Sequence, residues 1–240
     1  MTKIIELKNI VKNYQTKNEK LEVLKGINYS FEKGKLYAIK GHSGSGKTTL
    51  IKILGLMDQA TKGEYLLFEN RVDNLNDTEA SNYRLKHIGF IFQDYNLNPY
   101  LKADENIIVP MIVNKEIEKK SRNNIADSLL EKVGLLDRKN HFPKELSGGE
   151  QQRIAISRAL ANNPSIIIAD EPTGNLDKEN EKTIFKLLRQ MSDEGKCVIV
   201  VSHSSEITEY ADVNLLLEEG TLEEVSNANW LHWIISKKYF

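Results

Sequence analysis

Residues Gly41 to Thr48 read GHSGSGKT, and this string constrains the local fold more than any other in the chain. Its glycines remove the side chains that would keep a backbone from wrapping closely around a small anion. Before it stands Lys35–Lys40 (KLYAIK), a short strand; after it come Leu50, Ile51, Ile53 and Leu54 at helical spacing. A strand, a glycine loop and a helix N-terminus in that order aim backbone N–H groups at one point, where they can hold phosphate oxygens. The string fits G-x-x-x-x-G-K-[ST], in which Lys47 neutralises β- and γ-phosphate charge and the Thr48 hydroxyl ligates Mg²⁺. The candidate nucleotide-binding residues are Gly41, His42, Ser43, Gly44, Ser45, Gly46, Lys47, Thr48 and Thr49. A purely structural glycine turn would explain the glycines alone; the strand-loop-helix placement favours the phosphate site.

The rest of the chain suits that unit. Strand patterns occur around Ile5, Leu7 and Asn9, at Val23–Phe31, Glu64–Phe68 and Ile88–Phe92, and again at Ser165–Ala169, Cys197–Val201 and Val213–Leu217. Between Tyr95 and Ala161 the pattern turns helical, as in Ile125, Leu129, Leu130 and Val133. A further helix runs through Ile184, Leu187, Leu188 and Met191. Alternating strands and helices imply a mainly parallel sheet with helices on its faces. The run SIIIAD lacks polar alternation, as a strand buried on both sides should. The expected fold is α/β: a core over 1–94 and 162–228 with an N-terminal antiparallel β portion, a helical insertion over 95–161 and a tail over 229–240.

Two more strings carry chemistry. In IIIADE (Ile166–Glu171) a buried strand delivers Asp170 and Glu171 to its carboxyl end. Adjacent carboxylates there are costly unless something uses them. Asp170 suits Mg²⁺, and Glu171 suits general-base activation of water; an acidic pair capping the next helix is the bland alternative. In LSGGEQQ (Leu146–Gln152), Ser147 and the Gly148–Gly149 pair precede a helix pattern starting near Glu150 and form a second anion cradle about a hundred residues after the first. One nucleotide rarely needs two cradles from one chain. The economical explanation is a homodimer in which each chain offers its second cradle to the other's nucleotide.

Together these strings resemble the ATP-binding subunits of ABC transporters over nearly the whole chain. GHSGSGKT is similar to the family's Walker A, IIIADE to its Walker B and LSGGEQQ to its signature motif. The resemblance implies that Tyr14 stacks on adenine and that Gln93 contacts Mg²⁺ and reports on the membrane partner. It also implies that Asn175 and Asp177 belong to a D-loop crossing the dimer interface, and that His203 contacts the γ-phosphate. FQDYNLNP, VGLLDRKNHFPKELSGGEQQR and ADEPTGNLD resemble one branch, which includes lipoprotein-release, macrolide-export, peptide-resistance and FtsE-like subunits. Lys102-Ala103, Ser204 and NLLLEEG depart from that branch's usual residues.

The implied function is ATP hydrolysis with Mg²⁺ by a homodimer that drives a separate transmembrane permease, export-type by its branch. A regulatory cell-division ATPase signalling through a membrane partner is the alternative. A soluble small-molecule kinase would have no use for LSGGEQQ, and DNA-linked relatives would need long coiled-coil insertions. Composition agrees: Lys and Arg number 33 against 34 Asp and Glu, with no basic surplus for nucleic acid. With a single cysteine, Cys197, no apolar signal core and no apolar run of about 18 residues, the expectation is a cytoplasmic protein, peripheral on the inner face of the bacterial membrane. The five histidines lack metal-ligand spacing. Glu116–Arg122 reads as a solvated helix face. Trp230, Trp233 and Ile234 make a helical stripe, packed on the domain or offered to a membrane or partner.

Overall fold

The computed structural model describes residues 2–15 and 20–226; the Trp230–Ile234 stripe lies outside them. Strands β1 (Lys3–Gln15), β2 (Lys20–Glu32), β3 (Leu36–Lys40), β4 (Lys62–Leu67) and β5 (Asn70–Arg71) precede β6 (Ile88–Ile91), β7 (Ile166–Asp170), β8 (Cys197–Val201), β9 (Val213–Glu218) and β10 (Thr221–Glu224). They form a four-stranded antiparallel sheet, β2-β1-β4-β5, and a six-stranded sheet, β10-β9-β3-β8-β7-β6. The second sheet is parallel except for the β9–β10 hairpin.

Helix α1 (Lys47–Leu54) lies between the two sheets and buries Leu50, Ile51, Ile53 and Leu54. Helix α6 (Lys178–Asp193) covers the other face of the larger sheet with Ile184, Phe185, Leu188 and Met191. Both faces of the central strands are therefore dry. In β7, Ile166 and Ile168 pack toward the α1 side and Ile167 and Ala169 toward the α6 side, which is why SIIIAD has no polar alternation. Cys197 is a core residue, and burial pushes its thiol far above the ordinary range.

Helices α3 (Ala103–Ile112), α4 (Arg122–Lys132) and α5 (Gly148–Leu160) form the inserted helical part, with a core of its own around Ile107, Met111, Ala126, Leu130 and Ile154. Helix α5 serves both layers, since its Ile156 and Leu160 pack under the sheet. Such sharing fastens the insertion to the core.

Three local features differ from the sequence reading. Helix α2 (Asp77–His87) was not anticipated. Glu116–Arg122 is not a helix face: Lys119–Ser121 makes one 3₁₀ turn and Arg122 opens α4. The Asn114 carboxamide accepts the Glu116 amide at 3.0 Å and the Asn114 carbonyl accepts the Ile117 amide at 3.2 Å, a local turn that competes with helix. Asn9 interrupts the strand alternation at a bulge in β1, with φ of 51°.

Candidate active site

The loop after β3 curls back on its own lysine. Lys47 Nζ donates to the carbonyls of Gly41 and His42 at 2.8 and 2.9 Å, holding the loop closed. Burial lowers its pKa, against the opposing pull of Glu171 and Asp170. Gly46 stands at the N-cap of α1 with φ of 103°, a left-handed position that glycine adopts without strain, and no side chain caps the helix. The helix start is left to an anion.

Ser43, Gly44, Gly46, Lys47, Thr48 and Thr49 line one open cleft of about 360 Å³, facing Gln93, Asp170, Glu171 and His203 across it. Val23 and Val201 complete its walls. Gly41 and Ser45 are buried beneath the loop, and His42 opens onto an adjoining hollow beside Gly44 and Gly220. The Thr48 hydroxyl, the Asp170 carboxylate and the Gln93 amide oxygen are hard donors of the kind Mg²⁺ takes. Among the described residues no group of three His, Cys, Asp or Glu could hold a metal by itself. This donor set fits a cation that completes its shell with phosphate and water.

Glu171 follows β7 at a left-handed position, φ 46°, fixed by its amide donating to Val201 O at 2.9 Å. Its Oε2 accepts the His203 amide at 3.0 Å, while Oε1 lies 3.4 Å from His203 Nε2 and is buried without a hydrogen bond. Burial raises the Glu171 pKa; the His203 amide and ring oppose that rise, Asp170 adds to it and Lys47 opposes it. Asp170 is likewise raised by burial, against Lys47 and Lys52. The cleft thus holds two acids whose charge lacks full compensation from the protein.

Gln93 and Asn175 meet beside the cleft: Gln93 Nε2 donates to Asn175 Oδ1 at 3.4 Å, and Asn175 Nδ2 to Gln93 O at 3.4 Å. Asp177 caps α6, its Oδ1 accepting the amides of Glu179 and Asn180 at 3.0 and 2.9 Å. The second cradle stands apart. Ser147 caps α5 in a reciprocal box with Glu150: the Ser147 amide donates to Glu150 Oε2 at 2.8 Å, and the Glu150 amide to Ser147 Oγ at 3.3 Å. A side chain on Gly149 would force the Asn180 carboxamide aside, since a Cβ there would lie 2.1 Å from its Oδ1. None of Ser147, Gly148, Gly149 and Glu150 lines the cleft.

Tyr14 does not line it either. It sits in β1 opposite Leu21, and its hydroxyl is bonded to Asp58. Sequence reading also missed Gln152, fully buried in α5, whose Nε2 donates to Pro172 O at 2.6 Å and Phe92 O at 3.4 Å. An amide one turn into an otherwise apolar helical face was the available signal.

Comparison with known proteins agrees with this geometry. Residues 24–174 match the family described as ABC transporter. The macrolide export ATP-binding/permease protein MacB of Bdellovibrio bacteriovorus is 46% identical over 220 residues, which is 92% of this chain and 33% of that protein. This chain therefore spans a third of MacB. The lipoprotein-releasing system ATP-binding protein LolD of Francisella tularensis is 42% identical over 227 residues, 94% of this chain and 98% of that protein. The ATP-binding cassette MJ0796, solved as a dimer in a post-hydrolysis state with ADP and Pi, matches with a TM-score of 0.84 at 37% identity, covering 93% of this chain and 100% of that one. A phosphate loop on a parallel sheet, two acids at the end of β7 and these relatives lead to one conclusion: the chain belongs to the ABC transporter family, among its ATP-binding and ATP-hydrolysing members.

Proposed function

We propose that the chain is the ATPase subunit of an export-type transporter, closing as a homodimer around two ATP·Mg²⁺ to drive a separate permease from the inner face of the membrane. One observation carries the dimer: within a single chain the cleft holds Lys47, Glu171 and His203 but none of Ser147–Glu150. A second chain would bring its α5 N-terminus to the open side of the cleft, adding Ser147 and Gly149 to the γ-phosphate. The relatives named for macrolide export and lipoprotein release support the export direction. No helix among the described residues is long and apolar enough to cross a membrane.

In this reading Tyr14 stacks on the adenine, Lys47 and the loop amides hold the β- and γ-phosphates, and Thr48, Asp170 and Gln93 hold Mg²⁺. When bound, the cation neutralises phosphate charge and makes the terminal phosphoryl group more electrophilic. Glu171 accepts the proton of the attacking water, a role its raised pKa improves. His203 reaches the γ-phosphate from a loop that the same carboxylate holds. Asn175, tied to Gln93, links the cleft to the dimer face.

The permease would dock beside Gln93 and the 95–105 segment. There Arg158 fixes the backbone through the carbonyls of Tyr95 (2.7 Å) and Asn96. A groove of about 380 Å³ opens between Phe90, Phe92, Pro110 and Arg158. Nearby, Tyr100, Ile112 and Val113 are exposed.

Mixing two inactive variants tests the shared site. Ser147→Arg blocks the partner's γ-phosphate, and Lys47→Ala weakens nucleotide binding in its own cleft. A heterodimer contains one site with neither defect. ATPase activity in the mixture, absent from either variant alone, is the expected result; a Ser147→Arg protein that turns over ATP normally would overturn the arrangement.

A further inference from the structure

Tyr14, next to the end of β1, is 37% exposed, and an aromatic ring in that position would ordinarily sample several rotamers. Here it is tied at its tip. Its hydroxyl donates to Asp58 Oδ2 at 2.8 Å, while Asp58 Oδ1 accepts Lys12 Nζ at 2.6 Å and the Gln59 amide at 2.7 Å. Lys12 also donates to Gln59 O at 2.7 Å, and its ammonium lies 4.9 Å from the centroid of the Tyr14 ring. One face of the ring is thereby taken by a cation, leaving the other for a ligand.

The anchor belongs to the helix of the phosphate loop. The amides of Met57 and Asp58 both donate to Lys52 O in the last turn of α1, at 2.8 and 3.1 Å. On the other side, Tyr14 pairs with Leu21 of β2, and two residues further Val23 walls the cleft and packs on Gly46. Val23 is the extra residue of a bulge between the Lys12–Leu24 and Asn13–Glu22 pairs, and Leu24 packs on Gly46 beside it; Lys12 and Tyr14, alternate residues of β1, therefore share the face of Leu24, the face that meets the loop. Burial would raise the Asp58 carboxyl, yet the hydrogen bonds from Lys12, Tyr14 and the Gln59 amide outweigh it and hold the group below its ordinary range. Asp58 is therefore ionised at neutral pH and available as a strong acceptor.

We propose that Asp58, with Lys12, is a positioning residue for nucleotide binding: it locks the Tyr14 ring to α1, so that the platform for the base and the cradle for the phosphates are set at a fixed separation. The inference rests on the reading of Tyr14 as the adenine-stacking residue. Its physical basis is preorganisation, because a ring already held in place loses less freedom when a base stacks on it.

Calorimetric titration of the purified chain with ADP·Mg²⁺, and separately with inorganic pyrophosphate, tests it without hydrolysis. Tyr14→Phe keeps the ring and removes the tie; Asp58→Ala removes the anchor; Tyr14→Ala removes the platform. Tyr14→Phe and Asp58→Ala should each weaken ADP binding by about threefold to tenfold, the usual worth of one hydrogen bond. The double variant should be no weaker than Asp58→Ala alone. Tyr14→Ala should cost about fivefold to 150-fold, the range for one base on an aromatic ring. Pyrophosphate affinity should stay at the wild-type value throughout. If Tyr14→Ala weakens ADP binding while either Tyr14→Phe or Asp58→Ala binds like wild type, the positioning role falls and the stacking role stands. If Tyr14→Ala binds ADP like wild type, the stacking reading fails and takes the inference with it. Equal losses for ADP and pyrophosphate would place the defect in the phosphate loop and also overturn the proposal.

Discussion

In the proposed reading Glu171 would combine two duties that make opposite demands on one carboxylate. One oxygen holds the His203 amide and the other lies buried with no hydrogen bond, the arrangement of a base kept free for a substrate. Replacing it by Gln preserves shape and the acceptor for His203 but removes basicity. Glu171→Gln should therefore lower ATP turnover by about 10²- to 10⁴-fold, the usual range for a general base. A steady-state assay near the wild-type rate would contradict the assignment. The same variant carries a pH signature. Because folding raises this pKa, the ionised form is disfavoured in the native state, and the stability linked to the group is full below the unfolded value and lost as pH rises through the folded one. Gln escapes that loss. Its melting temperature should exceed the wild type's by about a few degrees at pH 8, with the gap narrowing toward pH 5; a gap independent of pH would refute the linkage.

At the scale of elements, legibility in the sequence followed burial. The strings IIIAD, CVIVV and LYAIK announce their strands because both faces are dry. Helix α2 buries no residue, so the periodicity that reveals α1 and α6 is missing. Its signature was instead chemical: Asn76 and Glu79 exchange side chain-to-amide bonds, Asn76 Oδ1 accepting the Glu79 amide at 3.0 Å and Glu79 Oε2 the Asn76 amide at 3.0 Å. Ala80 and Tyr83 pack half-buried against the core and the cap adds to that hold, so the helix should respond locally to losing it. Asn76→Ala should cost α2 about 1 kcal/mol, which hydrogen exchange would register as roughly fivefold faster exchange of the α2 amides, with the central strands unaffected. Unchanged exchange in α2 would show that packing, not the cap, maintains the helix. The 3₁₀ turn at Lys119–Ser121 escaped notice for a related reason: the competing Asn114 turn is local hydrogen bonding, which a charge pattern does not record.

For the whole molecule, the residues of the phosphate loop and of β7 were legible because the chemistry dictates both residue type and spacing. Asp58, Lys12 and Gln152 were not, since they act through contacts between segments far apart in the chain. The dimer gives the molecule-scale prediction. Glu171→Gln should accumulate an ATP-dependent dimer in size-exclusion chromatography, and adding Ser147→Arg should return it to monomer with ATP still bound. Persistence of the dimer in the double variant would sink the shared cradle. One buried amide bears on how such a dimer could be driven. Gln152 grips the backbone after β6 and the turn after β7 from a position one turn behind Ser147, and its own Oε1 already has no partner. Any motion that shifts those two carbonyls must either strand a second polar atom of the same side chain, at about 1–3 kcal/mol, or carry α5 along. In the proposed dimer, a shift of the Gln93 loop would therefore reach the edge of the partner's site as a displacement of α5.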